Sequence, residues 1–245
     1  MFKVKKKNGF LFNCTKWLVH LIRGGKPTII NLNEDGKIPE GSIIIANHNG
    51  ASGPMSYKTF LAPPAMMTWG AHQMCENYKS RRRYLIDVFY GQKLGFGKKR
   101  AWISGTLFAI VSGAFYSMAG IIPVYYDNRL RRTYEYSFEC LKENVNVMIF
   151  PENSDNGYKE ILEDDFHPGY LHFAKLWSKK IKKEVPIYTY FYSKKEHTIV
   201  IGKPHYISEI EAQYGKDGVN TFFREYMNKI GYDYILSKRK KTSEE

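Results

Sequence analysis

Cysteine is scarce in this chain: three residues in 245, Cys14, Cys75 and Cys140, lie far apart and form no C-x-x-C pair. That spacing argues against a disulfide framework or a zinc site and fits a reducing compartment. No linker rich in proline, glycine or serine divides the sequence and no internal repeat is visible, so one α/β domain accounts for the length. Metal-ligand spacing is absent as well. Gly95-Phe96-Gly97-Lys98 lacks the full spacing and the Ser/Thr of a phosphate loop, and no metal or bound cofactor is expected. Acidic residues are in deficit, 24 against 37 lysines and arginines, for a formal net charge of +13.

That charge favours an anionic partner: a phospholipid surface, nucleic acid, or an acidic thioester such as acyl-CoA or acyl carrier protein. The cations are clustered, at Lys5-Lys6-Lys7, Arg81-Arg82-Arg83, Lys98-Lys99-Arg100, Arg129 with Arg131-Arg132, Lys179-Lys180 with Lys182-Lys183, and Lys238-Arg239-Lys240-Lys241. Their alternation with aromatic and apolar segments favours a membrane surface. Nineteen tyrosines and 15 phenylalanines come with no nucleic-acid-binding motif, and nucleic acid is not the expected partner.

Residues 1–27 hold lysines followed by the apolar-rich stretch Phe10 to Ile22, read as an amphipathic helix that either lies at a lipid interface or docks on the domain's own core. Asn13, Lys16 and His20 interrupt it, and no small-residue cleavage site follows, which argues against a signal peptide. Residues 28–235 form the α/β domain and 236–245 a charged tail expected to be disordered. Ala101 to Tyr126 contains no charged residue and is long enough to span a bilayer, but glycines and Pro123 break it. A buried or membrane-dipping helix followed by a strand from Gly120 is the preferred reading. Strands are expected at Thr28–Leu32, Ser42–Ala46, Ile121–Tyr126, Val145–Phe150, Val185–Tyr192 and Thr198–Ile201. Helices are expected at Ser56–Leu61, Arg83–Phe89, Thr133–Asn144, Tyr170–Lys182 and Val219–Tyr232.

His48 is the leading chemical candidate, because a histidine just past the apolar run Ser42–Ala46 is well placed for proton transfer. Asn47-His48-Asn49-Gly50-Ala51-Ser52-Gly53 resembles the N-H-x-x-x-x-D block of PlsC-type glycerolipid acyltransferases (1-acylglycerol-3-phosphate O-acyltransferase-like), with Gly53 where the family has its aspartate. Further blocks follow in the family's order. Gly120-Ile121-Ile122-Pro123-Val124-Tyr125-Tyr126 has tyrosines where an arginine is expected. Phe150-Pro151-Glu152-Asn153-Ser154-Asp155 resembles F-P-E-G-T-R, with an acid in place of its arginine. Phe166-His167-Pro168-Gly169 resembles F-x-x-G, and Val185-Pro186-Ile187-Tyr188 and Gly202-Lys203-Pro204 resemble the closing strands. The likeness runs from about Ile29 to about Ile207.

The resemblance implies a glycerolipid-acyltransferase-like α/β fold, a mixed central sheet flanked by helices. It also implies acyl transfer from acyl-CoA or acyl carrier protein to a hydroxyl of a lipid or glycolipid at the cytoplasmic face of a membrane, with His48 as general base. Gly53 cannot orient an imidazole. Asp155 by preference, or Glu152, is the candidate replacement, while Asp155 also suits a plain turn in Asn153-Ser154-Asp155-Asn156-Gly157. Asn47, Ser52, Glu152, Asn153, Ser154, His167 and Gly169 are the candidate substrate-binding residues. In the family the two missing arginines are associated with an acceptor phosphate, so a phosphate-free acceptor is expected unless Arg129, Arg131 or Arg132 reaches in. A catalytically inactive relative, kept as a lipid-binding or scaffold module, is the alternative.

Overall fold

Successive side chains of Ile43-Ile44-Ile45-Ala46 enter opposite apolar layers, Ile43 and Ile45 on one side and Ile44 and Ala46 on the other. A strand buried on both faces belongs at the centre of a largely parallel sheet, and that is where it lies. The computed structural model describes residues 2–6, 13–14, 25–50, 53–61, 65–155 and 157–237. Seven strands are found among them: β1 (Thr28–Asn31), β2 (Ile43–Ala46), β3 (Met66–Ala71), β4 (Ile121–Val124), β5 (Asn146–Ile149), β6 (Ile187–Ser193) and β7 (Thr198–Ile201). They form one mixed sheet in the order β1-β7-β6-β2-β5-β3-β4, in which only the β6–β7 pair is antiparallel.

The helices are α1 (Gly53–Phe60), α2 (His72–Cys75), α3 (Tyr78–Tyr84), α4 (Lys98–Ala119), α5 (Leu130–Lys142), α6 (Gly169–Ile181) and α7 (Ile207–Gly231). A π-helical segment, Leu85–Lys93, continues α3, and another, Tyr232–Leu236, follows α7. Tyr134, Phe173, Trp177, Phe223 and Met227, from α5, α6 and α7, pack in one layer with Ile43, Ile45, Val147 and Ile149. On the other face Tyr57 and Phe60 of α1 pack with Ile44, Ala46, Met148 and Tyr192. A satellite cluster of Met74, Leu85 and Ala109, with Phe89 and Tyr116, joins α2, α3, its π-helical extension and α4 into a separate cap.

Strand β3 is absent from the sequence reading, because Met66-Met67-Thr68-Trp69-Gly70-Ala71 holds one β-branched residue and a glycine. Burial between β4 and β5 overrides that weak propensity. α7 begins well before the expected Val219, with Gly215 at φ 73° kinking its first half. Residues 101–126 resolve into a helix and a strand as expected, joined by Gly120 in the left-handed region at φ 63°. No helix among the described residues is long and apolar enough to cross a membrane. The expected N-terminal amphipathic helix lies outside the described residues except for Asn13 and Cys14, and so does the expected tail except for Leu236 and Ser237, which are helical rather than disordered. Before it, Phe2 stacks on Tyr136 at 4.2 Å and Lys6 pairs with Glu143 at 2.6 Å.

Candidate functional site

Strands β2, β5, β3 and β4 run parallel, so their carboxyl ends meet along one edge of the sheet, the usual place for a ligand crevice in an open α/β sheet. β2 and β5 are neighbours in the register Ile45 to Ile149. Beyond the strand ends the same offset brings His48 beside Glu152. The backbone N–H of His48 donates to Glu152 Oε2 at 2.9 Å, and His48 Nδ1 lies 3.4 Å from that same oxygen. The Nδ1 contact is poorly aligned and Nδ1 makes no hydrogen bond in this arrangement. Catalytic hydrogen bonds are commonly loose before substrate binds. The imidazole is held between Phe150 and Tyr158, ring centroids 4.9 and 5.3 Å away. Glu152 is 7% exposed, and its nearest basic side chain within ion-pair distance, among the described residues, is His48 itself.

Asn47 is fully buried and its amide is committed to structure. Its Oδ1 accepts from Tyr57 Oη at 2.6 Å and from the Tyr192 backbone N–H at 2.8 Å, and its Nδ2 donates to the Tyr192 carbonyl at 3.1 Å. The residue expected to bind substrate instead ties the end of β2 to β6. Asn49, with φ at 41°, also donates to the Tyr192 carbonyl. Together these contacts fix the chain on both sides of His48.

A cavity of about 140 Å³ opens beside His48. Trp69, Met74, Leu85, Phe89 and Ile121 give it apolar walls, while Lys58, Lys93, Tyr84, Tyr116 and Tyr158 bring polar atoms. Burial pushes the Tyr84 phenol up to about 12 and those of Tyr116 and Tyr158 further upward, so all three are neutral hydrogen-bonding groups at physiological pH. Burial, then the charge of Lys5, pulls Lys58 down to about 7. Lys93 is lowered by burial, a shift opposed by Asp155 and Glu152. Its ammonium donates to Ser154 Oγ at 2.6 Å and lies 6.0 Å from the Tyr158 ring centroid, with no carboxylate within 4 Å among the described residues.

No protein-family description, no curated protein and no solved structure matches the chain. The site's chemistry therefore rests on its own geometry.

That geometry brings together His48 and Glu152, sets Ser154 against Lys93, and leaves other expected residues apart. Asp155 is exposed, its backbone N–H bonded to Asn153 Oδ1 at 3.1 Å, so it occupies the turn and Glu152 holds the place beside His48. Asn153 lines a separate small recess with Glu152, Lys159 and Leu162. His167 is exposed, with its N–H on the Pro151 carbonyl at 2.8 Å, and Gly169 opens α6; neither lines the cavity. Ser52 lies outside the described residues, and Gly53 begins α1.

Arg129 does not reach in. Asp127 holds its guanidinium at 2.7 to 3.0 Å, and it lies over the Tyr125 ring at 4.4 Å. Arg131 pairs with Glu135 at 2.8 Å, and neither it nor Arg132 lines the cavity. Tyr126, near the position of the missing arginine, is 82% exposed. The sequence reading missed Lys58, Lys93, Tyr84, Tyr116 and Tyr158, which belong to no recognised block. Lys93 ends the π-helical segment, where a wider turn breaks the 3.6-residue period that would have predicted its facing.

Proposed function

We propose that the protein is an O-acyltransferase of PlsC-like fold that moves a fatty acyl group from acyl-CoA or acyl carrier protein to a hydroxyl of a lipid or glycolipid acceptor. The observation that carries this reading is the buried Glu152 carboxylate 3.4 Å from Nδ1 of His48, whose imidazole lines a largely apolar cavity. With Nδ1–H directed at Glu152, His48 Nε2 takes the acceptor's hydroxyl proton as its oxygen attacks the thioester carbonyl. The tetrahedral adduct then expels the thiolate, which takes the proton back from His48, leaving an ester and a free thiol. Glu152 fixes the tautomer and stabilises the transient imidazolium, the part Gly53 cannot play. Lys93, lining the same cavity, offsets the negative charge on the carbonyl oxygen in the adduct.

The cavity's cations are two lysines and no guanidinium, which supports an acceptor without a phosphate. A second reading, a non-catalytic lipid-binding module, draws on Gly53 and on the unaligned 3.4 Å contact. Purified protein offered both donors and acceptors with and without phosphate, beside His48→Ala, separates the two readings. Product that disappears in the variant supports the enzyme. Lipid binding in both proteins, with transfer in neither, supports the module.

A further inference from the structure

α4 has an inward face made of small residues and an outward face made of large apolar ones. Ala101, Gly105, Ala109, Ser112 and Ala119 are buried. Trp102, Leu107, Ile110 and Val111 are 55%, 62%, 63% and 62% exposed, and Ile103 lies between them on the same side. At 100° per residue these five fall within one half of the helix circumference, and no charged residue interrupts them between Ala101 and Ala119. Single exposed apolar residues need no explanation, but a contiguous stripe of this kind marks an interaction surface.

The surroundings select the partner. Lys98, Lys99 and Arg100 form the first turn of α4, all exposed, and exposed Lys79 and Arg83 lie on neighbouring α3. The Arg82 guanidinium sits 5.4 Å from the Trp102 ring centroid and donates to Thr106 Oγ1 at 2.9 Å. Cations at one end of an apolar stripe, with a tryptophan at the boundary, match the headgroup-to-acyl transition of an anionic leaflet. The far end of the same helix contributes Tyr116 and Ala119 to the cavity wall.

We infer that the outward face of α4 is the surface that docks on an anionic phospholipid bilayer, the helix lying in the interface with Leu107, Ile110 and Val111 among the acyl chains and Lys98, Lys99 and Arg100 at the headgroups. This docking gives the lipid-enzyme reading a membrane-facing side, with the helix that meets lipid also walling the cavity beside His48.

The test is co-sedimentation with vesicles of phosphatidylcholine, with and without phosphatidylglycerol, alongside quenching of tryptophan by brominated lipid. Wild type is expected to bind the anionic vesicles and be quenched. Trp102→Phe removes most of that quenching. Leu107→Glu with Val111→Glu, two solvent-exposed changes, weakens binding by about tenfold or more, and so does replacing Lys98, Lys99 and Arg100 by serine. His48→Ala binds like wild type, so absence of acyl transfer leaves the docking result standing. The inference is overturned if wild type ignores anionic vesicles or if the double glutamate variant binds them as tightly. A wild-type dimer that the glutamates dissociate overturns it as well, by making the face a contact between copies.

Discussion

His48 stands to Glu152 as Ile45 stands to Ile149: each pair is 104 residues apart, so the parallel register of β2 and β5, carried three residues past the paired isoleucines, delivers the histidine to the carboxylate. One glutamate oxygen meets both the backbone N–H and Nδ1. Sheet register thus sets a carboxylate beside His48, where Gly53 has none to offer.

Asn47→Ala is expected to lower stability rather than alter chemistry directly. It removes the acceptor of the buried Tyr57 hydroxyl and the side-chain partner of the Tyr192 backbone N–H, and leaves the Tyr192 carbonyl to Asn49 alone, at a cost of roughly 2 kcal/mol. Urea unfolding reads this as a lower midpoint with an unchanged slope.

Lys58 makes stability depend on pH with a definite sign. Its folded-state pKa is about 7 against 10.5 for the free side chain. Between those values the unfolded chain holds more protons, so this group's contribution to stability rises with pH. Below the lower value both states are protonated and burial of the charge costs most. Lys58→Met should therefore remove this dependence, so that the urea resistance of wild type relative to the variant rises between about pH 7 and about pH 9.

Gly105 lets α4 approach the π-helical segment. A Cβ there would meet Ile86 Cγ1 at 2.6 Å and the Ile86 backbone nitrogen at 3.0 Å. Gly105→Ala is expected to cost about 1–3 kcal/mol and, by pushing on the segment that carries Leu85 and Lys93 into the cavity, to reduce acyl transfer as well. Thermal unfolding and the transfer assay check the two effects separately.

The acceptor should be an alcohol without a phosphate. Arg129 is held by Asp127 and Tyr125, and no arginine lines the cavity. Competition between lysophosphatidate and a phosphate-free monoacylglycerol should favour the latter; a preference for the phosphate-bearing acceptor would show that the two lysines do an arginine's work.

Much of the framework was legible in the sequence because β-branched runs at Ile43–Ile45 and Thr198–Ile201 announce buried strands, and the break at Gly120 announces a helix giving way to one. Strand β3 was hidden because Met66, Gly70 and Ala71 carry no strand signal of their own, and only β4 and β5 on either side make them one. At the site, His48 was readable from its place after an apolar strand. The choice of Glu152 over Asp155 was not, since it depends on a register between segments 104 residues apart. Lys93 was hidden for a different reason, the widened turn of a π-helix.

The most direct measurement compares kcat for acyl transfer in wild type, Glu152→Gln and Asp155→Asn, with folding checked by circular dichroism. If Glu152 orients His48, Glu152→Gln should fall by about 10³-fold or more while Asp155→Asn stays within a few-fold of wild type. A folded Glu152→Gln that retains wild-type kcat, or a collapse confined to Asp155→Asn, would contradict the account.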